Sequence, residues 1–336
     1  MEVTTIGLDL AKHVFQVHGV DASGSVVLKR RLRRREVSAF FAALKPCLVG
    51  MEACATAHFW ARELRALGHE VRLMPAQYVK AYLRRGKNDA ADAAAICEAV
   101  ARPSMRFAPV KGEAQQAALM LHRVRDLLVR QRTQLINAIR GHLAEFGVIE
   151  AQGPWNVGKL VAGSEQDGAV PGMVRDLVKL LAAQLEEAEQ RIAEVDARIL
   201  AWHKADAVSQ RLAAIPGIGP LVATAIAATV PDPSAFRSGR EFAAWLGLVP
   251  RQNSTGGKTR LGRTSRQGDA YIRRLLVIGA QSVLYCSKAA RANPWIQGLL
   301  AKRPRMVVAV ALANKTARIA WAVMARGTTY RIAAAA

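Results

Sequence analysis

Two carboxylates close apolar runs near the start of the chain: Asp9 in Ile6-Gly7-Leu8-Asp9-Leu10-Ala11 and Glu52 in Leu48-Val49-Gly50-Met51-Glu52-Ala53. An ionised carboxylate at the end of an apolar strand is costly to bury unless something compensates it. If the two strands are neighbours, the groups meet at one sheet edge and repel, and a divalent cation can bridge them. Asp89 and Asp92, in Lys87-Asn88-Asp89-Ala90-Ala91-Asp92-Ala93, are three apart, so on a helix they face the same way and can close the cluster. Each carboxylate alone has an ordinary explanation, because Asp89 suits a helix N-terminus, Asp92 can be solvated and Glu52 can belong to a cap. The four together, in a chain with 48 Lys and Arg against 26 Asp and Glu, point to oxygen ligation of one or two Mg²⁺ or Mn²⁺ ions and to phosphodiester chemistry.

A second reactive group lies far along the chain. Gly247 to Lys258 reads as a polar, glycine-flanked loop between helices, with Ser254 at its tip. Between Arg237 and Arg274 there are nine Lys and Arg against only Glu241 and Asp269, so the stretch should lie against phosphates. A serine held there could attack a phosphodiester and keep the bond energy in a phosphoserine link, or it could only hydrogen-bond phosphate. Spacing alone does not separate Ser254 from the nearby hydroxyls of Thr255 and Ser265.

The elements that must hold these groups follow from pattern. Thr4–Leu10, Val14–Val20 and Ser25–Leu32 read as an antiparallel meander, Cys47–Met51 as a fourth strand, Thr56–Leu67 as a helix capped by Gly68, and Glu70–Met74 as a fifth strand. This predicts an α/β domain on one mixed sheet over residues 1–110. Lys111–Phe146 and Val174–His203 carry apolar residues at spacings of three and four and predict two long amphipathic helices. They can pair as a coiled coil, within one chain or between chains, and define a region over 111–206. Gly147–Gly172 between them reads as a loop with little fixed structure. Residues 207–331 form an Ala-rich, basic, all-α region that opens on Ile215-Pro216-Gly217-Ile218-Gly219-Pro220. That pattern suits a helix-hairpin-helix whose Gly217 and Gly219 let backbone N–H groups approach phosphate, or a tight turn between buried helices. Ala333–Ala336 is a low-complexity tail.

The formal charge of +22 names a polyanion as partner. Lys29, Arg30, Arg31, Arg33, Arg34 and Arg35 put six cations in seven residues on the edge of the first domain, where RNA or DNA phosphates are expected. Arg251, Lys258, Arg260, Arg263 and Arg266 around Ser254 are expected to bind nucleic acid in the same way. Cys47, Cys54, Cys97 and Cys286 have no staple-like spacing and read as small buried hydrophobes in a reducing compartment. The N-terminus has no secretory pattern, and proline, glycine or charge interrupts the two most apolar stretches, so a cytosolic protein that does not cross a membrane is expected. With aromatics at 6%, a stacking platform for single strands is not expected. Trp60, Trp202, Trp245 and Trp321 are assigned to the core.

The Asp9 strand end, the Gly50-Met51-Glu52 strand end, the Lys87–Ala93 helix start, the Ile215–Pro220 hairpin and the Pro250–Gly257 serine loop occur in that order. Together they resemble the bacterial insertion-sequence transposases that join a DEDD domain, similar to the RuvC Holliday-junction resolvase, to a C-terminal serine domain. These are recombinases guided by a bridge or seeker RNA. The resemblance spans essentially the whole chain. It implies an RNase H-like first domain, Asp9, Glu52, Asp89 and Asp92 as metal-binding tetrad, and Ser254 as nucleophile in a covalent protein–DNA intermediate. It further implies a homo-tetramer in which tetrad and serine can come from different subunits, a structured guide RNA paired with target and donor DNA, and exchange through a four-way junction. Asn88 stands where the family often has Thr, which leaves the ligand set intact. The residues alone also admit a junction-resolving endonuclease that uses water, with Ser254 a phosphate contact, or a non-catalytic nucleic-acid scaffold.

Overall fold

A computed structural model describes residues 2–83, 88–288 and 292–331; Lys87 and the Ala333–Ala336 tail lie outside them. The chain divides into two compact units, Met1–Gln115 with Val230–Arg237, and Gln116–Thr229 with Ser238–Ala336.

The first unit is built on β1 (Thr5–Asp9), β2 (Val14–Val20), β3 (Val26–Arg33), β4 (Leu48–Glu52) and β5 (Glu70–Met74), with α1 (Val37–Ala42), α2 (Ala57–Ala66), α3 (Ala76–Val79) and α4 (Asp89–Val100) around them. The sheet order is β3-β2-β1-β4-β5. β1, β2 and β3 form the expected antiparallel meander, and β1–β4 and β4–β5 pair in parallel. The parallel pairs need crossovers, which α1 and α2 supply. Central strands β1 and β4 are covered on both faces, so Ile6, Leu8, Val49 and Met51 are fully buried.

Two glycines decide how α4 meets this sheet. Gly7 and Gly50 are register partners on β1 and β4. A Cβ on Gly7 would stand 2.1 Å from the Ala93 carbonyl oxygen, and one on Gly50 would stand 2.7 Å from the Val100 Cβ. The missing side chains form a notch into which α4 settles along the face that carries Ala93, Cys97 and Val100. Asn88 caps α4 by accepting from the Ala91 N–H at 2.8 Å, a role that threonine also fills, so the departure from the family's usual residue is conservative in physical terms. Gly7→Ala should lower the stability of this unit by about 3 kcal/mol through overpacking, read as an earlier transition in urea or thermal unfolding of the full chain.

The second unit contains most of α5 (Glu113–Ala144), then α6 (Val157–Gln166), α7 (Gly172–Ala205), α8 (Ala207–Ala213), α9 (Pro220–Thr229) and α10 (Gly239–Trp245). These are followed by strands β6 (Pro250–Gln252) and β7 (Leu261–Thr264) and by α11 (Ala270–Cys286), α12 (Pro294–Leu300) and α13 (Arg305–Arg326). The long helices α5 and α7 run antiparallel. Ile139 and Leu143 share a core cluster with Val178 and Leu185, and Arg125 pairs with Asp196 at 2.5 Å. The segment expected as an unstructured loop instead contains α6, whose Val157 and Leu160 bury into the same cluster. Gly158 and Gly163 lower its helix propensity and mask its short apolar repeat, and tertiary burial overrides both.

A polar knot ties four of these helices together. His122 of α5 is buried between Thr224 of α9, 3.0 Å from Nε2, and Tyr271 of α11, 3.1 Å from Nδ1. The Thr224 hydroxyl donates to the Pro220 carbonyl, so it accepts from the His122 Nε2–H, and the Tyr271 hydroxyl donates to Nδ1. Around this pair, Arg125 binds Asp196 of α7 and Asp126 binds Arg274 of α11. Burial and then Arg125 push His122 down to about 4, against opposing pulls from Asp196 and Asp269. A histidine kept neutral in the fold contributes stability that is complete above about pH 6.5 and is lost as pH falls toward 4, on the order of 3 kcal/mol for a shift of this size. The urea midpoint of this unit should fall over that window in the native chain, and the slope should flatten in His122→Gln.

The helix α13 is by length and composition apolar enough to cross a membrane. It buries Val308, Ala313, Ala317 and Ala320 inside this unit and carries Lys315 and Arg318 on its exposed side. Of the cysteines, Cys47 and Cys97 are buried as expected, whereas Cys54 and Cys286 are exposed at the ends of their elements.

Candidate active site

The acidic cluster is assembled by the glycine notch. β1 and β4 lie side by side and end on Asp9 and Glu52, while α4, seated across them, starts at their carboxyl ends with Asp89 and Asp92 in its first turn. Carboxylates in that turn also face the positive end of the helix dipole. One ligand oxygen from each of Asp9, Asp89 and Asp92 lies within 4.8 Å of the others. Glu52 stands outside this triplet, yet its charge reaches Asp9 and feels Asp92. Burial, then Asp92, Asp89 and Glu52, push Asp9 up to about 6, while burial and Asp92 raise Glu52. Carboxylates that converge so that Asp9 and Glu52 are pushed up are held together against repulsion, and an all-oxygen donor set of this kind fits a hard divalent cation. Asp9, Asp89 and Asp92 would hold it, with Glu52 adjacent.

The serine sits on a different device from the one expected. Residues 250–264 are not an open loop but a β-hairpin of β6 and β7, closed by Thr255-Gly256-Gly257-Lys258. Gly256 and Gly257 take φ of 53° and 75°, the pair of left-handed positions that a tight hairpin turn requires. Ser254 is the exposed residue just before that turn. Its Oγ accepts from the Gln252 side-chain amide at 3.0 Å and from the Arg260 N–H at 3.1 Å. Two donors on one hydroxyl oxygen favour negative charge there and leave its proton free to depart. The Ser265 hydroxyl is buried at the base of the hairpin, while Thr255 is exposed beside Ser254 with its backbone paired to Lys258 across the turn.

The cations divide by structure. Along β3 the side chains alternate, so Lys29, Arg31 and Arg33 take the face opposite Arg30, Leu28 and Leu32. Arg30 lies over the Phe40 ring, Arg34 over Phe15 and Trp60, and Arg35 is exposed beyond the strand. The run is therefore split between the two faces of an edge strand, with Arg34 and Arg35 in the turn that follows it, and charge on such an edge also discourages edge pairing. Arg251 donates to the Ser265 carbonyl and closes the hairpin. Lys258 lies in its turn and Arg260 opposite Ser254, whereas Arg263 and Arg266 line a groove beside it. In the Ile215–Pro220 turn, Gly217 has φ +85°, and an added Cβ would stand 3.1 Å from the Gly279 carbonyl oxygen on α11. Close packing thus accounts for Gly217, while Gly219 faces open space.

Sequence reasoning missed Lys80, whose charge lowers Glu52 against its other neighbours. It follows β5 by six residues and belongs to no motif, so only the fold brings it near. Gly7 and Gly50 each stand two residues before a strand-end carboxylate, a local signal that does not by itself reveal their pairing across the sheet. Among the tryptophans, Trp60 is core, edge-on to Phe15, and Trp245 stacks on Phe242, but Trp321 lines the groove rather than the core.

A five-stranded mixed sheet of this order, with acidic side chains gathered where the neighbouring parallel strands β1 and β4 end, is the arrangement of a RuvC-like DEDD domain, and its acidic cluster suits a divalent metal. The IS110-type DEDD transposase domain model matches residues 6–147, and the model described as "Transposase IS116/IS110/IS902 family" matches residues 209–294. The chain is 52% identical over 337 residues to a "Probable family 20 transposase" of Pseudomonas aeruginosa, covering 98% of this chain and 99% of that one. It is 42% identical to the "Transposase for insertion sequence element IS1328" of Yersinia enterocolitica, covering 98% of each, and 38% identical to the "Transposase for insertion sequence element IS1111A" of Coxiella burnetii, covering 99% and 93%. The chain belongs to the IS110 family of insertion-sequence transposases.

Proposed function

We propose that this transposase carries out site-specific DNA recombination guided by a structured non-coding RNA, using Ser254 as nucleophile and the Asp9, Glu52, Asp89, Asp92 tetrad as metal site. The observation that carries this reading is the convergence of Asp9, Asp89 and Asp92 oxygens at the sheet edge, in a chain that also presents the Ser254 hydroxyl with two donors on it. A bound Mg²⁺ would neutralise charge on the attacking and leaving oxygens. The Ser254 Oγ forms a bond to phosphorus, its proton leaves, one bridging P–O bond breaks, and the released strand end takes up a proton as a free hydroxyl. The phosphoserine link keeps the energy of the broken ester for rejoining to another strand through a four-way junction.

In this reading residues 1–110 are the metal domain, 111–206 the helical pair that joins subunits as a coiled coil, and 207–331 the serine domain, with tetrad and serine brought together in a cytoplasmic homo-tetramer. The β3 patches, the Ile215–Pro220 turn as a helix-hairpin-helix and the hairpin cations take RNA and DNA phosphates, while guide pairing carries sequence choice. The test is a strand-cleavage assay on element-end DNA with Mg²⁺ and co-purified RNA. A protein-linked strand that survives denaturation supports the serine route. Nicks free of protein would instead assign a water-using endonuclease.

A further inference from the structure

Beside the serine hairpin, within the second unit, runs an open groove of about 1320 Å³. That exceeds the roughly 300–1,000 Å³ of small-molecule pockets, and its open sides suit a polymer passing through. One wall is the hairpin itself, through Pro250, Gly262, Arg263 and Thr264, and the opposite wall is α13. Its lining carries five exposed cations, Arg240, Arg263, Arg266, Lys315 and Arg318, and among the described lining residues no carboxylate. Between them the surface is apolar, with Trp295 on one side, 39% exposed, Val310 and Ala311 in the middle, and Trp321 on α13. The Lys315 ammonium sits over the Trp295 ring at 4.5 Å, so a cation already holds that indole at the groove's edge.

We infer that this groove binds an unpaired stretch of DNA next to the cleavage point, its phosphates on the cationic rim and its bases against Trp295, Trp321 and the aliphatic floor. Charge selects the class of occupant, because a second copy of this +22 chain would bring like charge to a rim of five cations, whereas a strand brings one negative charge per nucleotide. The floor selects its form. A duplex hides its base faces inside the stack, and only an unstacked strand can lay them on indole and aliphatic surface. The position selects DNA, since the hairpin that forms one wall carries Ser254. The inference thus extends the serine reading to the state of the strand that the serine meets, one opened locally before or during exchange.

The test uses the full-length protein freed of nucleic acid at high salt, with a twelve-nucleotide oligothymidylate, a duplex of equal length and an oligouridylate as probes. The single strand should quench tryptophan fluorescence, and Trp295→Ala should weaken its binding about tenfold, while Trp295→Phe keeps most of it and duplex binding changes little. Arg318→Ala should reduce the slope of log affinity against log salt by about one. An oligothymidylate carrying 5-iodouracil should cross-link to peptides containing Trp295 or Trp321. Single-strand affinity indifferent to Trp295→Ala, an equal loss for duplex, or tighter binding of oligouridylate with the same Trp295 dependence would overturn the assignment. Ser254→Ala separates the two ideas. If its covalent adduct is lost while Trp295→Ala binds single strands normally, the groove falls and the serine stands; if the adduct persists while Trp295→Ala loses the strand, the serine falls and the groove stands.

Discussion

Replacing Asp9 by asparagine is expected to reduce Mg²⁺-dependent strand cleavage by at least about a hundredfold while leaving DNA affinity in place. The size follows from the several kcal/mol that a metal supplies to charge developing on the attacking and leaving oxygens. Asparagine keeps the shape of the side chain but removes the negative charge that Asp9 contributes to the triplet. The same change should not destabilise the metal-free protein. Asp9 is held in a place that disfavours its charge, pushed up to about 6 by burial and three carboxylates, so a neutral replacement relieves repulsion. Thermal unfolding separates the roles. Added Mg²⁺ should raise the transition of the native chain and leave that of Asp9→Asn where it was. A structural carboxylate would give the reverse pattern, a lower transition in the variant with cleavage retained in what stays folded.

Ser254→Ala should remove the covalent protein–DNA adduct entirely, to below the detection limit of a denaturing gel with labelled strand, with fold and metal binding preserved. The residue is exposed and its side chain joins the hairpin only through the Gln252 amide and the Arg260 N–H, two hydrogen bonds that water can replace, so truncation costs little. Ser265→Ala and Thr255→Ala serve as comparisons, because the first hydroxyl is buried and the second residue belongs to the turn. An adduct that survives Ser254→Ala would move the nucleophile elsewhere, and persistence of protein-free nicks in that variant would favour hydrolysis by water.

Strand identity in the first unit was legible because alternation and punctuating Asp, Gly and Pro residues coincide there. Val14–Val20 and Glu70–Met74 match to the residue, and the carboxylates at Asp9 and Glu52 stand out because they end apolar runs. The depth at which α4 sits was not legible. It depends on two glycines opposite each other across a parallel pair, a relation set by register rather than by local sequence. The helix α6 was hidden for a related reason, since glycines dilute a short pattern whose partners, Ile139 and Val178, lie outside it. The serine segment reads as a loop because its polar strands bury nothing, and only the paired left-handed glycines betray the hairpin. Composition alone does not show that strand alternation splits Lys29, Arg31 and Arg33 from Arg30, with Arg34 and Arg35 beyond the strand, and it misled on Trp321, an indole in an apolar helix that faces a groove rather than a core.

Gly7 and Gly50 admit α4 so that Asp89 and Asp92 meet Asp9, beside Glu52, where a divalent cation would be held. Titration of full-length protein with Mn²⁺, followed by the loss of the free-ion paramagnetic resonance signal, reads that claim without any DNA. The native chain should take up Mn²⁺ and release it to excess Mg²⁺, and both Asp9→Asn and Gly7→Ala should lose the site, the first by removing a ligand and the second by lifting the helix that carries two. Uptake of Mn²⁺ that is the same in the native chain and in Asp9→Asn would contradict it.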